Sequence, residues 1–174
     1  MREIQKTPKV ESLYLLGHAD ITVALIKSMT ELQHKYAQYA DQFYQSAHVA
    51  REKGTKAGLV TVWSGESFAD IAAKQGQHIG IADRDDAQAK ANTEKARTIA
   101  VALLAIKDGR LPENLDEFLK FVDQRVAEVN EEIESVKKTT NIKGVQNDLL
   151  ADLYLQKNGL HAFKDLAAQA RSRK

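Results

Sequence analysis

The sequence predicts an all-α protein in which long antiparallel helices form a bundle or a coiled-coil-like hairpin, interrupted by a glycine-punctuated irregular connector. The 174 residues include only 2 prolines, and the residues that favour helices, such as Ala, Gln, Lys and Glu, are plentiful. Along three segments, apolar residues recur every three or four positions, as they do on one face of a helix. Such a face has to be buried against another helix of the same chain or of a second copy.

The first seventeen residues are predicted to form an arm that carries a short helix over 9–16. Pro8 favours the start of a helix, and Gly17 is a favourable residue for ending one. The remainder of the chain, 18–174, is predicted to be a single helical domain.

The first long helix is predicted over about 20–53, from a capping residue at Asp20 to a stop at Gly54. Its second half is rich in aromatic residues. Tyrosine is favoured at protein interfaces because its ring buries area while its hydroxyl group stays hydrated. The apolar stripe of this helix comprises Ile21, Leu25, Met29, Leu32, Tyr36, Tyr39, Phe43, Ala47 and Ala50.

Glycines punctuate the segment 54–82, which is therefore predicted to be the irregular connector. It contains a β-prone run at 59–63 and is predicted to form a short helix over about 66–75. Trp63, the one tryptophan of the sequence, is expected to anchor a contact.

Two more long helices are predicted over about 83–108 and 114–138, and two short helices over about 145–156 and 160–170 complete the chain. A turn is predicted between the short helices at Asn158 and Gly159. The apolar residues of the 114–138 helix alternate in steps of four and three, which is the heptad spacing of a coiled coil. They are Leu115, Leu119, Val122, Val126, Val129, Ile133 and Val136.

The charge of the chain is balanced, since 25 basic and 24 acidic residues leave a formal net charge of +1. No overall field attracts nucleic acid or an anionic membrane, and no apolar run approaches the roughly 18 residues of a membrane span. A membrane is therefore not an expected partner.

The sequence has no cysteine, which excludes disulfides and thiolate chemistry. Because Met1 is not followed by an apolar signal segment, the expected location is the cytoplasm.

The sequence offers one partial metal motif. Glu31 and His34 form an E-x-x-H pair, the spacing that places two ligands on one helical face in di-iron bundles. Such a site needs a second pair, and none of the other four histidines has a glutamate three positions before it. We therefore expect no metal and no cofactor, and the chain is predicted not to be an enzyme.

The leading interpretation is a non-enzymatic module for protein–protein interaction, such as an adaptor, scaffold or regulatory subunit. Long apolar seams in a short chain favour self-association, so a homodimer is expected besides a protein partner. The Ala- and Gln-rich helices suggest a bacterial or phage-like source. The residues expected to contribute to interaction surfaces are Tyr36, Tyr39, Phe43, Trp63, Val122, Val126, Val129 and Ile133.

Two alternatives remain open at this stage. Ala72 and Gly76 have the spacing of a degenerate helix-turn-helix at 67–86, which together with the basic end at 171–174 indicates a nucleic-acid-binding regulator. The tripeptide at 63–65 is similar to the WxG motif at the bend of small helical hairpins exported by specialised bacterial secretion systems. That resemblance implies an exported helical hairpin.

Overall fold

The computed structural model describes residues 17–59, 67–139 and 143–172, and these residues form four α-helices. They are α1 (Ala19–Leu59), α2 (Phe68–Lys107), α3 (Leu115–Thr139) and α4 (Lys143–Ser172). Helices α1 and α2 pack on each other, as do α3 and α4. The predicted all-α class is confirmed, and no strand occurs within these ranges. The predicted arm and short helix at 1–16, and most of the β-prone run, lie outside the described residues.

The chain divides into two compact units, and helices α1 and α2 each contribute to both. Unit 1 comprises Met1–Gln33 and Thr98–Lys174, and unit 2 comprises His34–Arg97. The sequence had predicted a single domain over 18–174.

Unit 1 has a core of large side chains. Phe118 of α3 and Phe163 of α4 meet edge to face, with ring centroids 5.4 Å apart and an interplanar angle of 89°, which is a favourable arrangement for two aromatic rings. The other fully buried large residues of unit 1 are Leu25, Met29, Leu32, Ile99, Ile106, Val122, Val129 and Leu160.

Unit 2 is an antiparallel helical hairpin with a core of small side chains. Ala47, Ala50 and Ala82 form one cluster, against which the half-buried Ile81 packs. Small side chains allow two helix backbones to approach closely. The hairpin also buries three further alanines, Ala40, Ala89 and Ala96, and the larger residues Tyr36 and Ile71.

The helices are longer than the sequence predicted, because three glycines that were expected to break helices lie inside them. Helix α1 continues through Gly54, α2 runs unbroken through Gly76, and α4 runs through Gly159 and replaces the two short helices and their turn. The irregular connector is thus helical over 54–59 and 68–82. A glycine inside a helix costs only about 1 kcal/mol relative to alanine, which tertiary packing readily outweighs.

Two other glycines lie just outside helices; α2 ends shortly before Gly109, as predicted, whereas the short helix predicted to end at Gly17 lies outside the described residues. Gly17 and Gly109 have φ values of 74° and 71°, a left-handed conformation that side chains disfavour. At the end of α2, the backbone N–H of Gly109 donates to Ile106 O, and that of Arg110 donates to Ala105 O. These two bonds form a Schellman motif, which satisfies the last carbonyl groups of the helix.

Candidate interaction surface

The second half of α1 carries four aromatic residues within nine positions, which we call the aromatic segment: Tyr36, Tyr39, Phe43 and Tyr44. Tyr36 is buried and Phe43 is half-buried, whereas Tyr39 and Tyr44 have 40% and 43% of their surface exposed. The segment therefore presents partly exposed rings on a rigid helix. All four residues belong to unit 2.

Helix α2 supports the aromatic segment with small and polar side chains. The Lys95 ammonium group lies 5.0 Å from the centroid of the Tyr36 ring, within the range of a cation–π interaction. Ala89, Asn92 and Ala96 are buried in the same part of α2. These three side chains are small, and the rings of Tyr39 and Tyr44 on α1 stay 40% and 43% exposed.

Polar contacts and one glycine hold the two helices of the hairpin together. Ser46 Oγ donates a 2.6 Å hydrogen bond to Asp85 Oδ2, and this aspartate is 4% exposed. Arg51 forms an ion pair with Asp86. A Cβ atom on Gly54 would lie 3.3 Å from His78 Cβ, so glycine permits a close approach of α1 to α2.

The other predicted interaction residues have different surroundings. Val122, Val129 and Ile133 are at most 3% exposed and belong to the core of unit 1, and Val126 is half-buried. Helix α3 thus uses most of its predicted seam for packing within one chain. Trp63 lies outside the described residues. Among the predicted interaction residues that the structure describes, Tyr39 is exposed, and Phe43 and Val126 are half-buried.

A buried arginine in unit 1 was not predicted from the sequence. The Arg125 side chain on α3 is 5% exposed. Its Nε donates to Ser28 Oγ at 3.0 Å, and one of its terminal nitrogens donates to Glu31 at 2.7 Å. The other terminal nitrogen donates to Glu132 at 2.6 Å. Arg125 also contacts Glu128 at 3.4 Å and Gln156 Oε1 at 3.3 Å.

The sequence does contain a signal for this arginine. The buried residues of α3 include Phe118, Val122, Arg125 and Val129, so Arg125 occupies a seam position between two valines. Buried charges are paired, and Glu128 and Glu132 lie three and seven positions further along the same helix. The predicted stripe used Val126 at this position instead.

The Arg125 network extends to a second ion pair. Gln156 Nε2 donates to Asp152 Oδ2 at 3.0 Å, and Lys27 Nζ lies 2.7 Å from Asp152 Oδ1. The hydrogen bond from Lys27 lowers the pKa of Asp152 below its usual range, and the same bond raises the pKa of Lys27. Glu31 forms an ion pair with Arg125. The glutamate of the E-x-x-H pair thus has a structural role in this network.

The described residues do not form the helix-turn-helix that the sequence suggested at 67–86. Helix α2 starts at Phe68 and passes through Gly76 and Gly80 without a turn. A recognition helix set at an angle to a first helix is therefore absent, because packing of the continuous helix overrides the helix-breaking tendency of the glycines.

An open groove of about 360 Å³ lies between α3 and α4. Its acids and cations pair across it: Lys164 Nζ lies 2.6 Å from Asp123 Oδ1, and Arg171 pairs with Asp116.

Within the described ranges, no group of three or more acidic, histidine or cysteine side chains is placed to hold a metal ion. In the same ranges, no helix has the long apolar stretch that crossing a membrane requires.

Comparisons with known proteins return no similar protein. No protein-family model matches the chain, and neither the curated proteins nor the solved structures include a match.

Proposed function

We propose that this chain is a non-enzymatic protein–protein interaction module, of the adaptor, scaffold or regulatory-subunit type, and that it self-associates through the aromatic segment. The observation that carries the proposal is the partial exposure of Tyr39 and Tyr44, with Phe43 half-buried between them on one rigid helix. Tyrosine is enriched among the residues that dominate binding energy at interfaces.

The surroundings of the aromatic segment support the proposal. Monomeric proteins rarely leave clustered apolar side chains in water without a partner. The rings are held on an α-helix rather than a loop, so little conformational entropy is lost on binding. In the groove between α3 and α4, Asp123 pairs with Lys164 and Asp116 pairs with Arg171, so neither aspartate is an unpaired carboxylate.

Sedimentation equilibrium of the wild type and the Tyr39→Ala variant tests self-association. We expect a reversible dimer whose dissociation constant rises about 30-fold in the variant, since loss of an interface hot spot costs about 2 kcal/mol or more. Gln38→Ala is the matched control, because Gln38 is an exposed neighbour on the same helix. A wild type that stays monomeric at every accessible concentration contradicts self-association. Equal dimerisation by both variants contradicts the role of the aromatic segment.

The protein partner is tested separately. Affinity purification from the native source, with the wild type and Tyr39→Ala compared by mass spectrometry, should recover a partner that the variant loses. Cell fractionation tests the cytoplasmic location, which the proposal includes because a chain without cysteine has no disulfide that requires an oxidising compartment.

A second candidate function is the exported helical hairpin that Trp63, Ser64 and Gly65 suggest. It is favoured by the packing of α1 on α2, because these two helices flank the tripeptide on either side. Expression in the native host with immunodetection of culture supernatant tests export. Retention of the protein in cells with active secretion systems would exclude this candidate.

A further inference from the structure

One side of the unit 2 hairpin is defined by two contacts between α1 and α2. The Lys95 ammonium group lies over the Tyr36 ring, and Ser46 Oγ donates to Asp85 Oδ2. Residues seven positions apart lie on the same side of a helix, because seven residues make almost two full turns. These two contacts therefore identify the other side chains that lie along the same side of the hairpin.

Aromatic, amide and cationic side chains follow this side on both helices. They lie four, seven or eleven positions from Tyr36, Ser46 or Lys95, the spacings that return to one side of a helix. On α1 they are Tyr39, Gln42, Phe43 and Lys53, and on α2 they are Arg84, Gln88 and Lys95 itself. We call these seven residues the basic face. All of them are exposed except Phe43, which is half-buried.

The basic face carries only positive charge. Its cations are Lys53, Arg84 and Lys95, and Lys35 continues the row toward the start of α1. Arg84 lies 3.4 Å from the buried carboxylate of Asp85, but 71% of the Arg84 side chain stays exposed. None of the seven residues of the face is acidic. A polyanion can therefore approach the face without repulsion.

The opposite side of the hairpin mixes both signs of charge. Arg51 pairs with Asp86 there, and Arg51 lies five positions from Ser46, about 140° around α1. The other exposed charged residues of that side are Asp41, Glu52, Asp83, Lys90, Glu94 and Arg97. The balanced charge of the whole chain thus hides an uneven distribution within unit 2.

The composition of the basic face fits a nucleic-acid strand better than a protein surface. Lysine is depleted at protein–protein interfaces, whereas proteins that bind single strands combine cations for the phosphates with aromatic rings on which bases stack. Tyr39, which is 40% exposed, and the half-buried Phe43 offer such rings. The exposed amides of Gln42 and Gln88 can both donate to and accept from base edges.

We propose that the basic face binds single-stranded nucleic acid, with Lys53, Arg84 and Lys95 contacting phosphates and with Tyr39 and Phe43 stacking on bases. A duplex keeps its bases stacked on one another, so they are not available to these rings. Every base has a face that can stack, so binding should tolerate any sequence.

This inference goes beyond protein–protein interaction and does not rest on it. A bound strand and a second copy of the chain would both cover Tyr39, so they would compete for it. Self-association is measured without nucleic acid, whereas strand binding is tested mainly through the cations. Each proposal can therefore fail without the other.

Fluorescence anisotropy with labelled oligo(dT) of about 16 nucleotides, at the upper end of known site sizes, tests the binding. With three or four phosphate contacts, the affinity should fall about 20- to 50-fold between about 50 and 200 mM salt, because each contact contributes about −0.7 to the logarithmic slope. A duplex of the same length should bind more weakly. Absence of binding at the lower salt concentration, or a duplex that binds equally well, would overturn the proposal.

Charge variants locate the binding on the basic face. Lys53→Gln with Arg84→Gln should weaken binding about tenfold or more and make the salt dependence shallower, because two phosphate contacts are lost. Lys90→Gln with Arg97→Gln removes the same charge from the opposite side and is the matched control. Equal losses in the two double variants would contradict the proposal, since binding would then follow net charge alone.

A second double variant leaves every cation in place. Gln42→Glu with Gln88→Glu adds two acids at exposed positions of the face and should also weaken binding about tenfold or more, because the acids repel phosphates. Circular dichroism checks that the helices of each variant stay folded. Unchanged affinity in this folded variant would place the strand elsewhere on the molecule and refute the proposal.

The rings distinguish a nucleic-acid strand from an acidic protein segment. Tyr39→Leu should weaken oligo(dT) binding about fivefold or more, whereas Tyr44→Leu should not, because Tyr44 lies seven positions from Arg51, on the opposite side. Poly-L-glutamate has charge but no bases, so it should displace oligo(dT) only weakly. Equal affinities of the two tyrosine variants, or displacement by poly-L-glutamate at equal charge concentration, would show a site for acidic protein instead.

Discussion

Gly159 determines how closely two helices of unit 1 approach. A Cβ atom at this position would lie 2.8 Å from Ile21 O and 2.9 Å from Leu25 N, and both atoms are backbone atoms of α1. Backbone cannot move aside as a flexible side chain does. The sequence suggested a turn here, whereas the residue serves a close contact between α4 and α1.

Gly159→Ala is therefore expected to destabilise the protein by about 1–3 kcal/mol, the usual cost of overpacking. For a chain of this size, each kcal/mol lowers Tm by about 2–4 °C. Thermal unfolding followed by circular dichroism measures the shift. Gly80→Ala is the control, because a Cβ there meets nothing within 4 Å and alanine favours the helix. Equal Tm values for the two variants would contradict the close contact.

Arg125 is the residue that connects α1, α3 and α4 through side-chain hydrogen bonds. Its removal leaves Ser28 and Gln156, which are 0% and 2% exposed, without this donor. A buried polar group that loses its partner costs about 1–3 kcal/mol.

We expect Arg125→Met to lower the free energy of unfolding by about 2–4 kcal/mol, since the partly exposed glutamates regain water while the buried partners do not. Urea denaturation measures it. Arg97→Met is the matched control on an exposed arginine and should change stability by less than about 0.5 kcal/mol. A cost for Arg125→Met no larger than that of the control would mean that the network contributes no net stability.

The ion pair between Lys27 and Asp152 gives a defined pH dependence. The pKa of Asp152 is lowered in the folded protein by the hydrogen bond from Lys27. The ionised Asp152 carboxylate therefore stabilises the folded protein at pH values above the carboxyl pKa of the unfolded chain. This stabilisation is lost as the pH falls through the lower pKa that Asp152 has in the folded protein. The pKa of Lys27 is raised, so its contribution is lost only as the pH rises through a value above that of an ordinary lysine.

The stability difference between wild type and Lys27→Met should accordingly be constant around neutral pH and vanish in acid below the usual carboxyl range. Both side chains are nearly half exposed, so the plateau difference should be small and shrink with added salt. Urea denaturation from pH 2 to 8 measures it, with Lys90→Met as the control. A difference that grows on acidification would contradict the assignment.

At the scale of single elements, α2 shows how far sequence patterns can be trusted. Its larger part, from 83 to 107, was predicted correctly, including an end close to Gly109, because a left-handed glycine followed by Pro112 favours the end of a helix. Residues 68–75 were predicted as part of a separate short helix because glycine lowers helix propensity. Propensity is a weak bias, and the packing partners on α1 that override it are distant in sequence.

Gly76 and Gly80 lie inside α2 facing open space, and nothing in the structure explains the choice of glycine there. Replacing either with alanine should stabilise the protein by about 0.5–1 kcal/mol. Gly54→Ala should gain less or lose stability, because its Cβ would lie 3.3 Å from His78 Cβ. Chemical denaturation of the three variants measures the order, and a Gly54 variant at least as stable as the other two would contradict the close approach in unit 2.

At the scale of the whole molecule, the sequence predicted long antiparallel helices, but it predicted three of them where the structure has four, and it did not predict the division into two units. The stripe through Leu25, Leu32, Tyr36 and Ala47 is one continuous period, so it predicted the length of α1 well. It does not reveal that the buried residues are mostly large in unit 1 and mostly alanines in unit 2. The Arg125 network was missed for a similar reason, because its members come from three helices.

The composition of the two cores predicts a difference in local stability. Alanine buries much less apolar area than leucine or phenylalanine, and each Å² contributes only about 25 cal/mol. Native-state hydrogen exchange should therefore show a smaller opening free energy for buried α1 amides near Ala47 than for those near Leu25. Equal opening free energies that both match global unfolding would show that the two units unfold as one.

The alanine core of unit 2 does not by itself determine the register in which α1 and α2 pack. The alanine methyl groups repeat along both helices. If one helix slid along the other by seven residues, each alanine contact would be replaced by another alanine contact. The pairs Ser46 with Asp85 and Arg51 with Asp86 fix the register of the two helices. A shift would separate both pairs and leave the buried Asp85 carboxylate without its hydrogen bond. Many small apolar contacts thus hold the two helices of the hairpin together, and two polar contacts determine their register.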